Sequence, residues 1–148
     1  MHKFQDSRTL NYSSEQLYNI VIDVEQYDEF VPWCKSCTIV SKSEGEIIAD
    51  IYIKSGFVSK SYRSFIKHGK RGVEYFINIS QISGPFDHLN TDWNFISESK
   101  SSTLVQFNID FKFKSDLLNL LIGGVFDYAS KEMISAFEKR AKELYGKN

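Results

Sequence analysis

The densest group of chemistry-bearing residues in this sequence is Trp33-Cys34-Lys35-Ser36-Cys37. Its W-C-x-x-C spacing is that of a dithiol redox pair, which works when the first cysteine sits at a helix N-terminus and the dipole lowers its pKa. Here Thr38-Ile39-Val40 follows, a β-branched run that predicts a strand. Cys34 and Cys37 therefore read as ordinary thiols, and two cysteines make no disulfide scaffold. Zinc would need two further ligands. His68 and His88 are available, but no spacing ties them to the cysteines, so no metal site is expected. His2 is close to the terminus, His68 lies in a turn, and His88 stands beside Asp87. The Asp87-His88 pair reads first as a solvated turn and second as the acid–base pair of a cyclase-type enzyme. No nucleophile elbow, phosphate loop, dinucleotide fingerprint or His-Glu-x-x-His motif occurs. No catalytic residue and no cofactor is expected.

Apolar residues are plentiful by contrast: 12 Phe, 8 Tyr and 2 Trp among 148 residues. That length suits one domain spanning 1–148, able to bury roughly two thirds of its unfolded surface without disulfide or metal. Net charge is -1, which offers no general footprint for DNA. The longest apolar stretch, Leu117 to Phe126, is broken by Asn119 and reaches about half a membrane span. The mixed, polar start Met1 to Leu10 is unlike a signal peptide, so a reducing cytoplasm is expected.

The elements that must position these residues follow from periodicity. Phe4 to Leu10 predicts a first strand. Ser13-Ser14-Glu15-Gln16 is a capping box, and Leu17, Ile20, Val21 and Val24 continue at helical spacing, so a helix is expected over 14–23. A second short turn, Glu25 to Phe30, must end at Val31-Pro32, because the residue before proline is pushed out of the helical region. From Thr38 to Phe113 the period becomes two, for instance Ile47, Ala49, Ile51, Ile53 and Val73, Tyr75, Ile77, Ile79. The gaps are too short for crossover helices, which predicts an antiparallel meander. Ser83 to Leu89 reads as a structured loop. Ser115 or Asp116 then caps an expected helix of about thirty residues ending at Tyr145 with Gly146 as its stop, about 45 Å long. The sheet has one face to bury, and only this helix can cover it. The fold class is α+β: a curved antiparallel sheet gripping a long C-terminal helix, with two short helices after the first strand.

On a helical wheel, Ala129, Met133, Ala136, Phe137 and Leu144 share the apolar face. The opposite arc carries lysines and glutamate late in the helix but Leu117, Leu120 and Leu121 early in it. Gly123-Gly124 follows and permits a bend. Either a loop or second copy covers these leucines, or they rim a portal or touch a bilayer. One helix cannot fill a strongly curved sheet everywhere, so a cavity is expected near the leucine-rich half, suited to an apolar ligand. Trp93 with Phe95, and Phe107 with Phe111, share strand faces that could line it, with Phe30, Trp33, Phe86 and Leu89 at its edges.

Three segments carry a resemblance: Tyr27 through Phe30-Val31-Pro32-Trp33-Cys34, then Gly84-Pro85-Phe86-Asp87-His88-Leu89 through Trp93-Asn94-Phe95, then Phe126 through Met133 to Ala141. Together they resemble the coenzyme Q-binding START-domain family of the polyketide cyclase/START-like superfamily, close to the bacterial ribosome association toxin family. Cys37 lies outside the family's motif. The resemblance implies a helix-grip fold and a non-enzymatic protein that binds ubiquinone and carries or presents it in support of respiratory electron transport. It implies an entrance at Phe30, Pro32 and Trp33, a facing loop at Gly84, Pro85 and Phe86, and a wall at Trp93 and Phe95. Leu118, Leu121, Ile122, Val125 and Met133 are the implied contribution of the helix. Leu117, Leu120 and Leu121 are expected to dock transiently on the membrane that holds the quinone or a similar lipid. The expected location is cytoplasmic and peripheral on the inner membrane of a bacterium, or the matrix side in a eukaryote. The lack of a mitochondrial presequence favours the bacterial case or a trimmed mature domain. An alternative is a ribosome-binding regulator that interferes with subunit association, using Lys54, Lys60, Arg63, Lys67, Lys70 and Arg71.

Overall fold

Period-two alternation produces seven strands. They are β1 (His2–Leu10), β2 (Cys34–Ser43), β3 (Glu46–Ser55), β4 (Val58–Arg71), β5 (Glu74–Ser83), β6 (Phe86–Ser99) and β7 (Ser102–Phe113). All pair antiparallel in one sheet of order β1-β7-β6-β5-β4-β3-β2. The computed structural model describes residues 2–56 and 58–146. Strands β2 to β7 are the expected meander, and β1 closes onto β7 from the other end of the chain.

The chain crosses from one sheet edge to the other between β1 and β2. It does so through α1 (Ser14–Ile22), a 3-10 turn (Val24–Gln26) and α2 (Tyr27–Phe30). The capping box forms as read: Gln16 N–H donates to Ser13 Oγ at 3.1 Å, and Ser13 N–H donates to Gln16 Oε1 at 3.0 Å. After α2, Val31 is extended, as the following proline demands. Leu17, Ile20 and Val21 of α1 are buried, and the largest fully sealed side chains, Phe95, Phe107, Ile47, Ile66 and Ile77, come from five different strands of the sheet.

Two expectations are corrected. The Ser83–Leu89 loop is only a tight turn at Gly84-Pro85, and Phe86 to Leu89 already belong to β6. Phe86 pairs with Phe113 and His88 with Lys112, while a bulge absorbs Asp87 between them. Gly84 has φ of +148°, and a Cβ there would come 2.5 Å from Tyr62 Cβ, so only glycine fits. The thirty-residue helix is two helices, α3 (Asp116–Gly123) and α4 (Phe126–Tyr145). Between them Val125 leaves helical geometry at φ -128°, ψ -1°, and its N–H turns back to the Ile122 carbonyl at 3.0 Å. The diglycine thus breaks the helix instead of bending it. Asn119 fixes α3 to the sheet: its side-chain amide donates to the Phe113 carbonyl at 2.9 Å and accepts the Phe113 N–H at 2.8 Å. Val73 and Leu144, placed on apolar faces by their period, are exposed in a turn and at a helix end.

Candidate functional site

A cavity of about 140 Å³ lies between the concave face of the sheet and α4, with Ile122 of α3 in its wall. Its position follows from four aromatic contacts. Phe126, at the start of α4, meets Phe111 at 5.1 Å, and Phe137, eleven residues on, meets Trp93 at 5.1 Å. Trp93 also meets Phe107 at 4.6 Å, and Phe86 stacks on Phe113 at 4.9 Å. The helix therefore touches the sheet at both ends of this stretch and spans the space between, because a straight rod cannot follow a curved floor. Ala129, Ser130 and Met133 roof the gap, and Leu89, Thr91 and Ile109 form its floor. Trp33, Ile53, Val58, Tyr62 and Tyr27 close the side toward β2, β3 and β4.

Eight of the residues expected at the site line this space: Trp33, Phe86, Leu89, Trp93, Phe107, Phe111, Ile122 and Met133. The others stand elsewhere. Phe30 packs behind Tyr27 and Phe137 and under the Arg140 guanidinium, 5.0 Å from its ring. Pro32 is exposed, and Gly84 and Pro85 form the turn outside the wall. Phe95 is sealed beneath α1 against Tyr18, one pleat beyond Trp93. Leu118 packs on the core outside the lining, whereas Leu121, on the outward arc of α3, and Val125, in the break between the helices, are exposed. Leu117 and Leu120 are 64% and 78% exposed, and Tyr128 stands exposed beyond them.

Part of what the sequence reading missed had a signal. Ile109 and Phe113 complete the alternation of Phe107 and Phe111, Thr91 falls between Leu89 and Trp93, and Phe126, Ser130, Met133 and Phe137 follow helical spacing. Ile53 closes the alternation of Ile47, Ala49 and Ile51, while Tyr62 and Val58 enter only through the curl of the β3–β4 hairpin.

Little titratable chemistry reaches the cavity. Burial pushes the Cys34 thiol up to about 11 and the Cys37 thiol up to about 12, so both stay protonated at neutral pH, the opposite of a redox thiolate. Both are free and lie in β2, as the β-branched run predicted. Burial also raises the phenols of Tyr27 and Tyr62. Tyr27 donates its hydroxyl to the Val21 carbonyl. His88 lies outside the lining and pairs across the strand with Asp110, Nε2 to Oδ1 3.0 Å, not with Asp87. Among the described residues no cluster of three or more His, Cys, Asp or Glu side chains could hold a metal ion. Among them, too, no helix is long and apolar enough to cross a membrane.

A curved sheet gripping a terminal helix over an apolar cavity defines the START-like class, and solved structures agree. A START superfamily protein from Mycobacterium smegmatis superimposes with a TM-score of 0.79 at 19% identity, over 97% of this chain and 99% of that one. Residues 10–138 match the family described as polyketide cyclase / dehydrase and lipid transport, and the chain belongs to that family. Among curated relatives, the ribosome association toxin RatA of Rickettsia prowazekii is 38% identical, over 97% of this chain and 99% of its own length. The mitochondrial coenzyme Q-binding protein COQ10 homolog B of Xenopus laevis is 34% identical, over 98% of this chain and 60% of its own length.

Proposed function

We propose that the protein binds a neutral, ring-bearing lipid of the isoprenoid quinone class and presents it at a membrane surface. The observation that carries this reading is the cavity itself, walled mainly by aromatic and aliphatic side chains and, among the described residues, by no charged one. A dry apolar space of roughly 150 Å³ is enough for one six-membered ring. The ring is therefore the part enclosed, and the tail leaves between the helices and the sheet. Enclosing a few hundred Å² of such a ligand offsets several kcal/mol of exposure to water, at about 25 cal/mol per Å². The exposed Leu117, Leu120 and Leu121 beside the cavity's Ile122 give the protein an apolar edge to rest on the bilayer where such a lipid resides. The relative named as coenzyme Q-binding supports this choice of ligand. Native mass spectrometry of the purified protein with lipid extraction tests it. One quinone per chain is expected, and a charged lipid or no lipid under conditions that retain hydrophobic ligands argues against it.

A second reading, association with a ribosomal subunit, is favoured by the name of the relatives that match the whole chain. The cations available to it are on the β3–β4 and β4–β5 hairpins. Arg63 is already engaged bidentately by Asp50 at 2.8 and 3.0 Å, while Lys67, Lys70 and Arg71 lie over Phe65, Tyr75 and Phe76. Salt-sensitive co-sedimentation with ribosomal subunits supports this reading, and its absence removes it.

A further inference from the structure

Three hydroxyls on residues that line the cavity have no hydrogen-bond partner among the described residues, those of Tyr62 in its side wall and of Thr91 and Ser130. Thr91 is 7% exposed and Ser130 6% exposed, and both line the cavity. Among the described residues neither hydroxyl has a hydrogen-bond partner, and neither oxygen is among the sealed, unpartnered atoms, which are Nε2 of His2 and of His68. Both oxygens therefore keep some accessible surface, and both residues line the cavity. A buried hydroxyl left unpaired costs about 1–3 kcal/mol, and an apolar residue of the same shape would avoid that cost. Ser64 and Thr103 show the ordinary alternative in this fold, donating to the carbonyls of Ala49 and Tyr12 at 2.9 and 2.7 Å.

The register puts the two hydroxyls at one level. Phe126 sits over Phe111 and Phe137 over Trp93. Ser130 is one helical turn past Phe126, and so stands over the strand positions between Phe111 and Phe107. Those positions are held by Ile109, whose neighbour across the ladder is Thr91. Roof and floor thus each place one hydroxyl-bearing residue along the same stretch of a largely apolar space.

We infer that Thr91 and Ser130 form the polar half of the ligand site, bonding the oxygen atoms of a neutral ring. This rests on the proposed lipid-binding function and specifies what that site recognises. A hydroxyl both donates and accepts, so the pair donates to the carbonyls of a quinone and accepts from the hydroxyls of the corresponding quinol. Among the described lining residues no Lys, Arg or His would compensate a carboxylate or phosphate, which excludes fatty acids and phospholipid headgroups from the enclosed part of the site. The site is therefore selective for oxygen-bearing neutral rings and indifferent to their oxidation state.

The test is displacement of the neutral fluorophore N-phenyl-1-naphthylamine by decylubiquinone, by decylubiquinol and by pentadecane, for the wild type and the double variant Thr91→Val, Ser130→Ala. Both substitutions keep or reduce side-chain volume, and a melting temperature equal to or above wild type is expected because unpaired hydroxyls are removed. The wild type should bind quinone and quinol within about threefold of each other. The double variant should lose about tenfold or more for both, as two buried hydrogen bonds require, and keep its affinity for pentadecane. Equal quinone affinity in variant and wild type overturns the inference while leaving the cavity's function standing. Parallel loss of pentadecane and quinone also overturns it, since the variant has then lost shape and not polar recognition. A wild type that takes up none of the three probes overturns the lipid-binding reading itself.

Discussion

Gln81 holds Phe86 by both backbone groups: its Nε2 donates to the Phe86 carbonyl at 2.9 Å, and its Oε1 accepts the Phe86 N–H at 3.0 Å. This bracket spans the Gly84-Pro85 turn and starts β6 with Phe86 buried against the cavity. Asn119 does the same for Phe113, and the two bracketed rings stack on each other. One end of the cavity is thus fixed by a pair of side-chain amides and not by packing alone.

The turn under this bracket predicts a large effect from a small change. In Gly84→Ala the new methyl would meet Tyr62 Cβ and Cα, and the backbone would hold a φ that L-residues rarely adopt. Strain of this kind costs about 1–3 kcal/mol, and relief of the clash must push Tyr62 out of the cavity wall. A lower urea midpoint together with a changed fluorescence of Trp33 or Trp93 is expected. An unchanged midpoint would mean that the turn is looser than described.

The exposed leucines predict a functional loss without a structural one. Leu117→Ser with Leu120→Ser removes two side chains that make little contact with the fold. Thermal melting should therefore stay within a degree or two, while partition onto liposomes falls by about tenfold or more, given roughly 1.5–3 kcal/mol per fully buried leucine. Equal liposome binding by variant and wild type excludes α3 as the docking edge.

His68 sets a pH dependence of stability. Burial, then the charge of Lys42, lowers its pKa below 6.5, so the folded protein holds it neutral at pH 7, with Nδ1 hydrogen-bonded to the Tyr18 hydroxyl. The unfolded chain binds the proton first as pH falls, so folding stability present above about pH 6.5 is lost as pH drops toward the folded pKa. His2 is shifted in the same direction, chiefly by burial. Urea midpoints should fall between pH 7.5 and 5.5, and less so in His68→Gln, which cannot titrate. The same slope in both proteins would show that His68 does not couple to folding.

Much of this fold was legible because its physics is local. The Ser13–Gln16 box, the stop at Pro32 and the alternation from Val105 to Phe113 each depend on neighbours within a few residues. The helix break was harder: Gly123-Gly124 announced weakness, but whether the rod bends or ends is decided by Asn119 clamping α3 to Phe113, a contact between separate elements. The β6 start was misread because Gly84-Pro85 looks like loop sequence, and the Gln81 bracket that makes it a turn is invisible in periodicity. The cavity follows from curvature, yet Tyr62 and Val58 enter it only through the sheet's coil. Thr91 and Ser130 keep the right pattern, but a small polar residue on an apolar face is ordinary in sequence, and only the folded arrangement leaves its hydroxyl without a partner.

The space beneath α4 is proposed to enclose the ring of an oily guest. A crystal structure of the protein grown with decylubiquinone tests it most directly. The ring is expected between Met133 and Ile109, with an oxygen within about 3.5 Å of Thr91 Oγ1 or Ser130 Oγ, and the decyl chain leading out past Ile122. A ligand bound on the outer surface, with Met133 and Phe126 collapsed into the cavity, would contradict it.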